Sequence, residues 1–220
     1  MLFRSAARQR GPGLVVTAVR RLQVLKGIRL PRFHAGEAER FTIESRLVAA
    51  NGSTVYAMML LGADGVRHYS AEVELGAAHL TPPPPAPPTE GLEPWSGVVY
   101  DGAVLFHGPM FHAVKSVEGA SAQAIAGTLV GRRELGWSDA PWESDPALLD
   151  GGLQLAVLWV KRTLDGASLP TTIGAWVPYA DARGPIRATA TRRRQTSESA
   201  VLDVTRSEEH TSELQSPCNL

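Results

Sequence analysis

The sequence predicts an α+β fold in which an antiparallel sheet is wrapped around one long apolar helix. Three observations carry this expectation. Residues 145–164 form a single apolar run with a helix-start signal, alternating strand patterns lie on both sides of it, and a proline tract divides the chain. The 220 residues are 44% hydrophobic and 20% charged, enough apolar material for a core and too little charge for a disordered chain. Acids and bases balance at 22 each, so no bulk field draws the protein to nucleic acid or to an anionic membrane. No apolar run reaches the roughly 18 residues that span a bilayer. The basic start "MLFRSAARQRGPG" has no apolar stretch of signal-peptide length behind it. The expected location is the cytoplasm.

Residues 1–80 read as an antiparallel meander. "RFTIESRLVAA" sets Phe41, Ile43, Ser45 and Leu47 on one face, Asn51-Gly52 is a strong hairpin signal, and "TVYAMMLL" follows as the second strand. After "ADG", "VRHYSAEVEL" sets Val66, His68, Ser70 and Glu72 against Arg67, Tyr69, Ala71 and Val73. Three strands with one buried face need a helix or a second sheet to cover them, and this half offers neither. The first lobe is therefore expected to be incomplete. Residues 81–94 hold seven prolines, which remove backbone donors and fix φ, so they form an extended spacer.

Residues 95–205 make a second lobe. "VVYDGAVLFHGPMFHAVKSVEG" is irregular and leads into strands, and "AQAIAGTLVG" is another strand. Asp145 is a good N-cap, Pro146 takes the first helical position, and the helix runs to about Leu164 before "DGASLP" stops it. Strands return at "GPIRATATRRR" and "SAVLDVT". A long apolar helix between antiparallel strands is the hotdog arrangement, so two lobes make a double hotdog with an incomplete first half. The tail, residues 206–220, has neither helical nor strand period and holds Cys218, the one cysteine. Its run Arg206–Ser216 resembles the translation of a sequencing-library adapter, so the tail is expected to lie outside the fold.

One feature of the helix asks for an explanation. Asp150 interrupts an apolar run, with Gly151 and Gly152 directly behind it and Gln154 one turn on, on the same face. Each interior glycine costs about 1 kcal/mol relative to alanine. Glycine serves where something comes close to the helix backbone, such as a ligand chain. A partly desolvated Asp150 has its pKa raised and can act as a general acid near neutrality, with Gln154 orienting the carboxyl. The competing reading is a first-turn acid favoured by the helix dipole.

"DPALLDGGLQ" resembles the Asp-x-x-x-Gln motif of dehydratase domains in modular polyketide synthases and polyketide-type polyunsaturated fatty-acid synthases. "LFHGPMF" resembles their Tyr-Gly-Pro-x-Phe motif, with His107 in the tyrosine place. "RRLQVLKGIRL" and the meander resemble the later part of their first lobe, and the proline tract resembles their inter-lobe linker. The resemblance covers residues 14–204. It implies elimination of water from a 3-hydroxyacyl chain carried on the phosphopantetheine of an acyl carrier protein, giving a trans-2-enoyl thioester without a metal or redox cofactor. Asp150, oriented by Gln154, would protonate the departing hydroxyl. His107, Gly108, Pro109 and Phe111 would contact substrate, with the Gly108 N–H polarising the thioester carbonyl and Pro109 shaping the turn.

The family's base is a histidine in His-x-x-x-Gly-x-x-x-x-Pro, upstream of the position matching Met1. None of His34, His68, His79, His107, His112 or His210 fits that pattern. The chain is thus expected to be a dehydratase fragment that is inactive alone, with His107 a hydrogen-bonding stand-in for tyrosine and His112 a packing or surface residue. The alternative is a non-catalytic lobe of a megasynthase that binds acyl chains or shapes the product. A stand-alone thioesterase-like hotdog is disfavoured because the linker joins two lobes. Expected partners are the acyl carrier protein and neighbouring synthase domains, with a homodimer allowed through the parent synthase, and neither nucleic acid nor membrane. No His/Cys/Asp set has metal-ligand spacing, and "GLVVTAV" lacks phosphate-loop spacing. Arg192–Arg194 read as charges guarding a solvated edge strand, and Trp137, Trp142 and Trp159 as core or tunnel wall.

Overall fold

Apolar and polar residues alternate along most of the chain, and the computed structural model turns those stretches into one sheet with two helices. It describes residues 2–49, 53–81, 90–138, 144–165, 168–179, 185–207 and 217–219. In chain order come helix α1 (Leu2–Arg10), strands β1 (Val15–Val24), β2 (Phe41–Ala49), β3 (Thr54–Gly62), β4 (Arg67–Gly76), β5 (Glu93–Pro94), β6 (Val114–Ala120) and β7 (Ala124–Leu129). Helix α2 (Pro146–Leu164) and strands β8 (Thr172–Trp176), β9 (Ile186–Gln195), β10 (Ala200–Ser207) and β11 (Pro217–Asn219) follow. The strands run in the order β2-β3-β4-β1-β8-β11-β10-β9-β7-β6-β5, and every recorded pairing is antiparallel.

The meander forms as expected, with Tyr69, Ala71 and Val73 of β4 turned inward against Met58 and Leu60 of β3. The expectation that nothing covers this half is overturned. Phe3 and Ala7, four residues apart on α1, are buried in the same cluster as Val73 and Leu75, so a helix does lie on the strands of the first half. The basic composition of that segment hides its short apolar face. Leu47 keeps the expected face, opposite Tyr56 and in register with Ser45 and Ile43, but it is 51% exposed, at the strand's end just before the register shifts. The hairpin turn at Asn51-Gly52, Trp142 and the prolines at 82–88 lie outside the described residues.

Helix α2 lies against β6, β7, β9 and β10, with Leu155, Leu158 and the fully buried Trp159 in the second core. Asp145 caps it as expected, accepting from the N–H groups of Ala147 (3.0 Å) and Leu148 (3.2 Å), and also from Arg132 N–H at 3.0 Å. Leu149 and Leu153 project from the same helix into the first cluster, so α2 serves both halves. The two glycines serve a use other than the expected one. A Cβ on Gly151 would stand 3.0 Å from Ala113 Cβ, and one on Gly152 would stand 2.9 Å from Val204 Cγ1. What approaches the helix here is its own sheet and the strand-entry loop, rather than a ligand chain.

Two further placements differ from the sequence expectation. Strand β8 crosses to pair with β1, which joins the strands of the two halves of the chain into the one sheet. Residues 217–219, assigned by sequence to the tail, form β11 between β8 and β10. Ladder pairing uses only main-chain groups, so a segment of weak strand character can fill the space between two open edges. Strand β9 is flanked by β7 and β10 over Arg187–Thr191, so it is not an edge strand as a whole. Arg192–Arg194 lie past Thr191, where Arg192 reaches Gln123 Oε1 at 2.8 Å and Arg193 reaches Asp203 at 2.8 Å.

Candidate active site

Asp150 is the fifth residue of α2, one turn in from the N-terminus, and the first turn itself carries no acid. The dipole reading therefore gives way to a local one. Gln154 is 2% exposed and donates from Nε2 to Asp150 Oδ2 at 2.6 Å. The same nitrogen donates to the Phe111 carbonyl at 2.9 Å, and Gln154 Oε1 accepts from the Tyr100 hydroxyl at 2.7 Å. A buried amide is costly unless its groups are all bonded, and here they are. The Asp150 side chain keeps 37% of its surface, so it stands at the edge of this network rather than inside it.

Burial pushes the Asp150 carboxyl above the usual aspartate range, and the Gln154 hydrogen bond and the charge of a protonated His107 only partly offset that. His107 is half-buried, stacks on Phe106, and puts Nε2 3.8 Å from Asp150 Oδ2. That is an ionic separation, too long for a hydrogen bond. The His107 Nδ1 is buried and has no hydrogen-bond partner among the described residues. His107 faces the acid but makes no hydrogen bond to it.

The segment between them is built by proline and glycine. Gly108 is extended (φ −71°, ψ 166°) and caps a single 3-10 turn, Pro109–Phe111, in which Phe111 N–H donates to Gly108 carbonyl at 2.8 Å. Pro109, lacking an N–H, starts that turn at no cost in hydrogen bonds. The Gly108 N–H has no hydrogen-bond partner among the described residues, and the space where a side chain would stand is open. Phe106, Met110 and Phe111 are exposed apolar residues beside it, and Trp137 packs edge-on to Phe111 with Nε1 bonded to Met110 carbonyl at 2.7 Å.

Two residues join the site that the sequence did not place there. Tyr100 had carried no signal; burial raises its phenol to about 12, so it stays a proton donor. Of the two roles expected for His112, packing is the one it takes: it stacks 3.8 Å from the Tyr100 ring at 6°, with Nε2 2.9 Å from His107 carbonyl. The sequence "VVYDG" offers no spacing that would have linked Tyr100 to Gln154, 54 residues on.

With this arrangement in view, the comparisons with known proteins are decisive. The profile of the family described as polyketide synthase dehydratase N-terminal domain matches residues 79–211, more than half of the chain and the whole of the site. The chain belongs to that family. A polyunsaturated fatty acid synthase polypeptide of Thraustochytrium sp. is 36% identical over 96 residues, which is 40% of this chain and 3% of that much longer one. The dehydratase domain of RzxB from Pseudomonas fluorescens superposes with a TM-score of 0.67 at 14% identity, covering 100% of this chain and 82% of that one. The dehydratase domain from the CurJ module of curacin polyketide synthase gives 0.67 at 13% identity, over 99% and 78% of the two chains. The bifunctional dehydratase-cyclase domain in ambruticin biosynthesis gives 0.65 at 19%, again over 99% and 78%. At these identities the likeness speaks to fold, and the fold of this dehydratase-family chain is the hotdog α+β arrangement expected from its sequence. No helix among the described residues is long and apolar enough to cross a membrane.

Proposed function

We propose that this chain is part of a dehydratase domain that eliminates water from a 3-hydroxyacyl thioester carried on the phosphopantetheine of an acyl carrier protein, with Asp150 as general acid. The observation that carries the reading is the Asp150 carboxyl itself: raised in pKa by burial, gripped by Gln154, and flanked by the Gly108–Phe111 turn. A base removes the proton from C2, the C2–H pair becomes the C2=C3 bond, and the C3–O bond breaks. The Asp150 proton goes to the departing oxygen, which leaves as water. The unpartnered Gly108 N–H is suited to the thioester oxygen as negative charge builds on it.

The base is a histidine that none of the six in this sequence matches by motif. His107 stands on the acid's own side, 3.8 Å from it. Hence the chain by itself does not carry out the elimination. The test is spectrophotometric, on a 3-hydroxyacyl-pantetheine thioester. This chain alone forms no enoyl product; the same chain joined to an upstream frame bearing His-x-x-x-Gly forms it; and Asp150→Asn abolishes that. Full activity of the joined Asp150→Asn protein would sink the role given to Asp150. Elimination by the chain alone would refute its dependence on the upstream histidine.

A further inference from the structure

The hydrogen-bond chain that reaches Asp150 is anchored at two points on main-chain groups whose polarity is fixed. The Val114 N–H can only donate, and it donates to the Tyr100 hydroxyl at 2.7 Å. The hydroxyl's single proton is then directed to Gln154 Oε1 at 2.7 Å. The Phe111 carbonyl can only accept, and it takes one Gln154 amide proton at 2.9 Å. The amide is left with one orientation, and its second proton falls on Asp150 Oδ2 at 2.6 Å. A protonated Oδ2 would oppose two hydrogens at that distance.

We infer that Tyr100 is a positioning residue that, through Gln154, confines the acidic proton of Asp150 to Oδ1. This rests on Asp150 being the acid. Oδ1 has no hydrogen-bond partner among the described residues, while His107 Nε2 faces Oδ2, the oxygen already held by Gln154. The proton therefore leaves from Oδ1, and Oδ2 remains the carbonyl oxygen throughout the protonated state. His112 stacked on the Tyr100 ring holds the phenol in line. Orienting the carboxyl alone would have needed only Gln154. Tyr100 adds a choice between its two oxygens.

Isotope-edited infrared spectroscopy of the full chain, with carbon-13 in the aspartate carboxyls and Asp150→Asn as the blank, reads this directly. At a pH where Asp150 is protonated, its C=O stretch lies at the lower frequency of a hydrogen-bonded carbonyl. Tyr100→Phe and Gln154→Leu each shift it upward, and the double variant shifts it no further than Gln154→Leu. A Tyr100→Phe stretch unchanged from the parent, or shifts that add in full, overturns the inference. Should Tyr100→Phe fail to fold, 3,5-difluorotyrosine at Tyr100 keeps ring and hydroxyl and strengthens donation to Gln154, so the stretch moves down; no movement again overturns it. These readouts need no turnover. If they appear as expected while Asp150→Asn leaves the joined enzyme fully active, the acid role fails and the proton placement stands.

Discussion

Helices α1 and α2 each lie against antiparallel strands, but they bury different kinds of residue there. Helix α1 has nine residues and buries Phe3, Arg4 and Ala7; its polar member, Arg4, lies over the Trp176 ring with its guanidinium carbon 4.7 Å from the centroid. Helix α2 has 19 residues and buries eleven of them, Gln154 among them. The partners explain the contrast. Strand main-chain groups in front of α1 are used in the ladders of β1 and β4. In front of α2 lies the irregular segment 101–113, whose Phe111 carbonyl accepts from Ala113 N–H at 2.8 Å and keeps its second lone pair for Gln154. A polar helix residue becomes part of a site where a loop leaves main-chain groups for it.

The contrast can be tested by removing its parts. Trp159→Ala takes a fully buried ring from the α2 core and is expected to cost about 3–5 kcal/mol, read by chemical denaturation. Phe3→Ala, at a residue still 8% exposed, falls at the lower end of that range; no loss at all would mean that α1 is no part of the first core. Gly151→Val forces side-chain atoms toward Ala113 and Leu129 and costs about 1–3 kcal/mol. The same loss in thermal stability from a valine at exposed Gly27, where nothing lies within 4 Å of the added Cβ, would remove the packing explanation.

Smaller effects sharpen the account of the site. Asp145→Ala removes the α2 cap and costs about 0.5–2 kcal/mol, toward the upper end because Arg132 N–H loses its acceptor too. Asp150→Asn gives the smallest change, and its sign depends on pH. The folded chain holds the Asp150 proton above the pH at which the unfolded chain has lost it. Its contribution to stability therefore falls as pH rises from the ordinary aspartate range through the raised folded value. Asp150→Asn flattens that slope and is at least as stable as the parent above the window. A steeper slope in the variant would contradict a raised carboxyl.

Much of α2 was legible because its signals are local: Asp145 and Pro146 start it, and Asp150 and Gln154 share a face by spacing alone. The strands with alternating residues, β2 to β4, were legible for the same reason. Tyr100 was not, since its partners Gln154 and Val114 are brought to it by the tertiary fold. Strand β8 was missed because its partner β1 lies some 150 residues earlier, and nothing in "TIGAW" names it. The role of Gly151 and Gly152 was visible as a need for closeness, but the sequence did not say what comes close.

The pairing of β8 with β1 also sets an order of events during synthesis. The first four strands leave the ribosome long before Trp176 does, so β1 waits with one edge uncovered while the proline segment and the whole of α2 are made. An exposed edge is a template for any extended neighbour. A nascent chain of this design depends on how quickly its own later strand arrives, and slow translation between residues 80 and 172 lengthens the interval in which a second nascent chain can take that place.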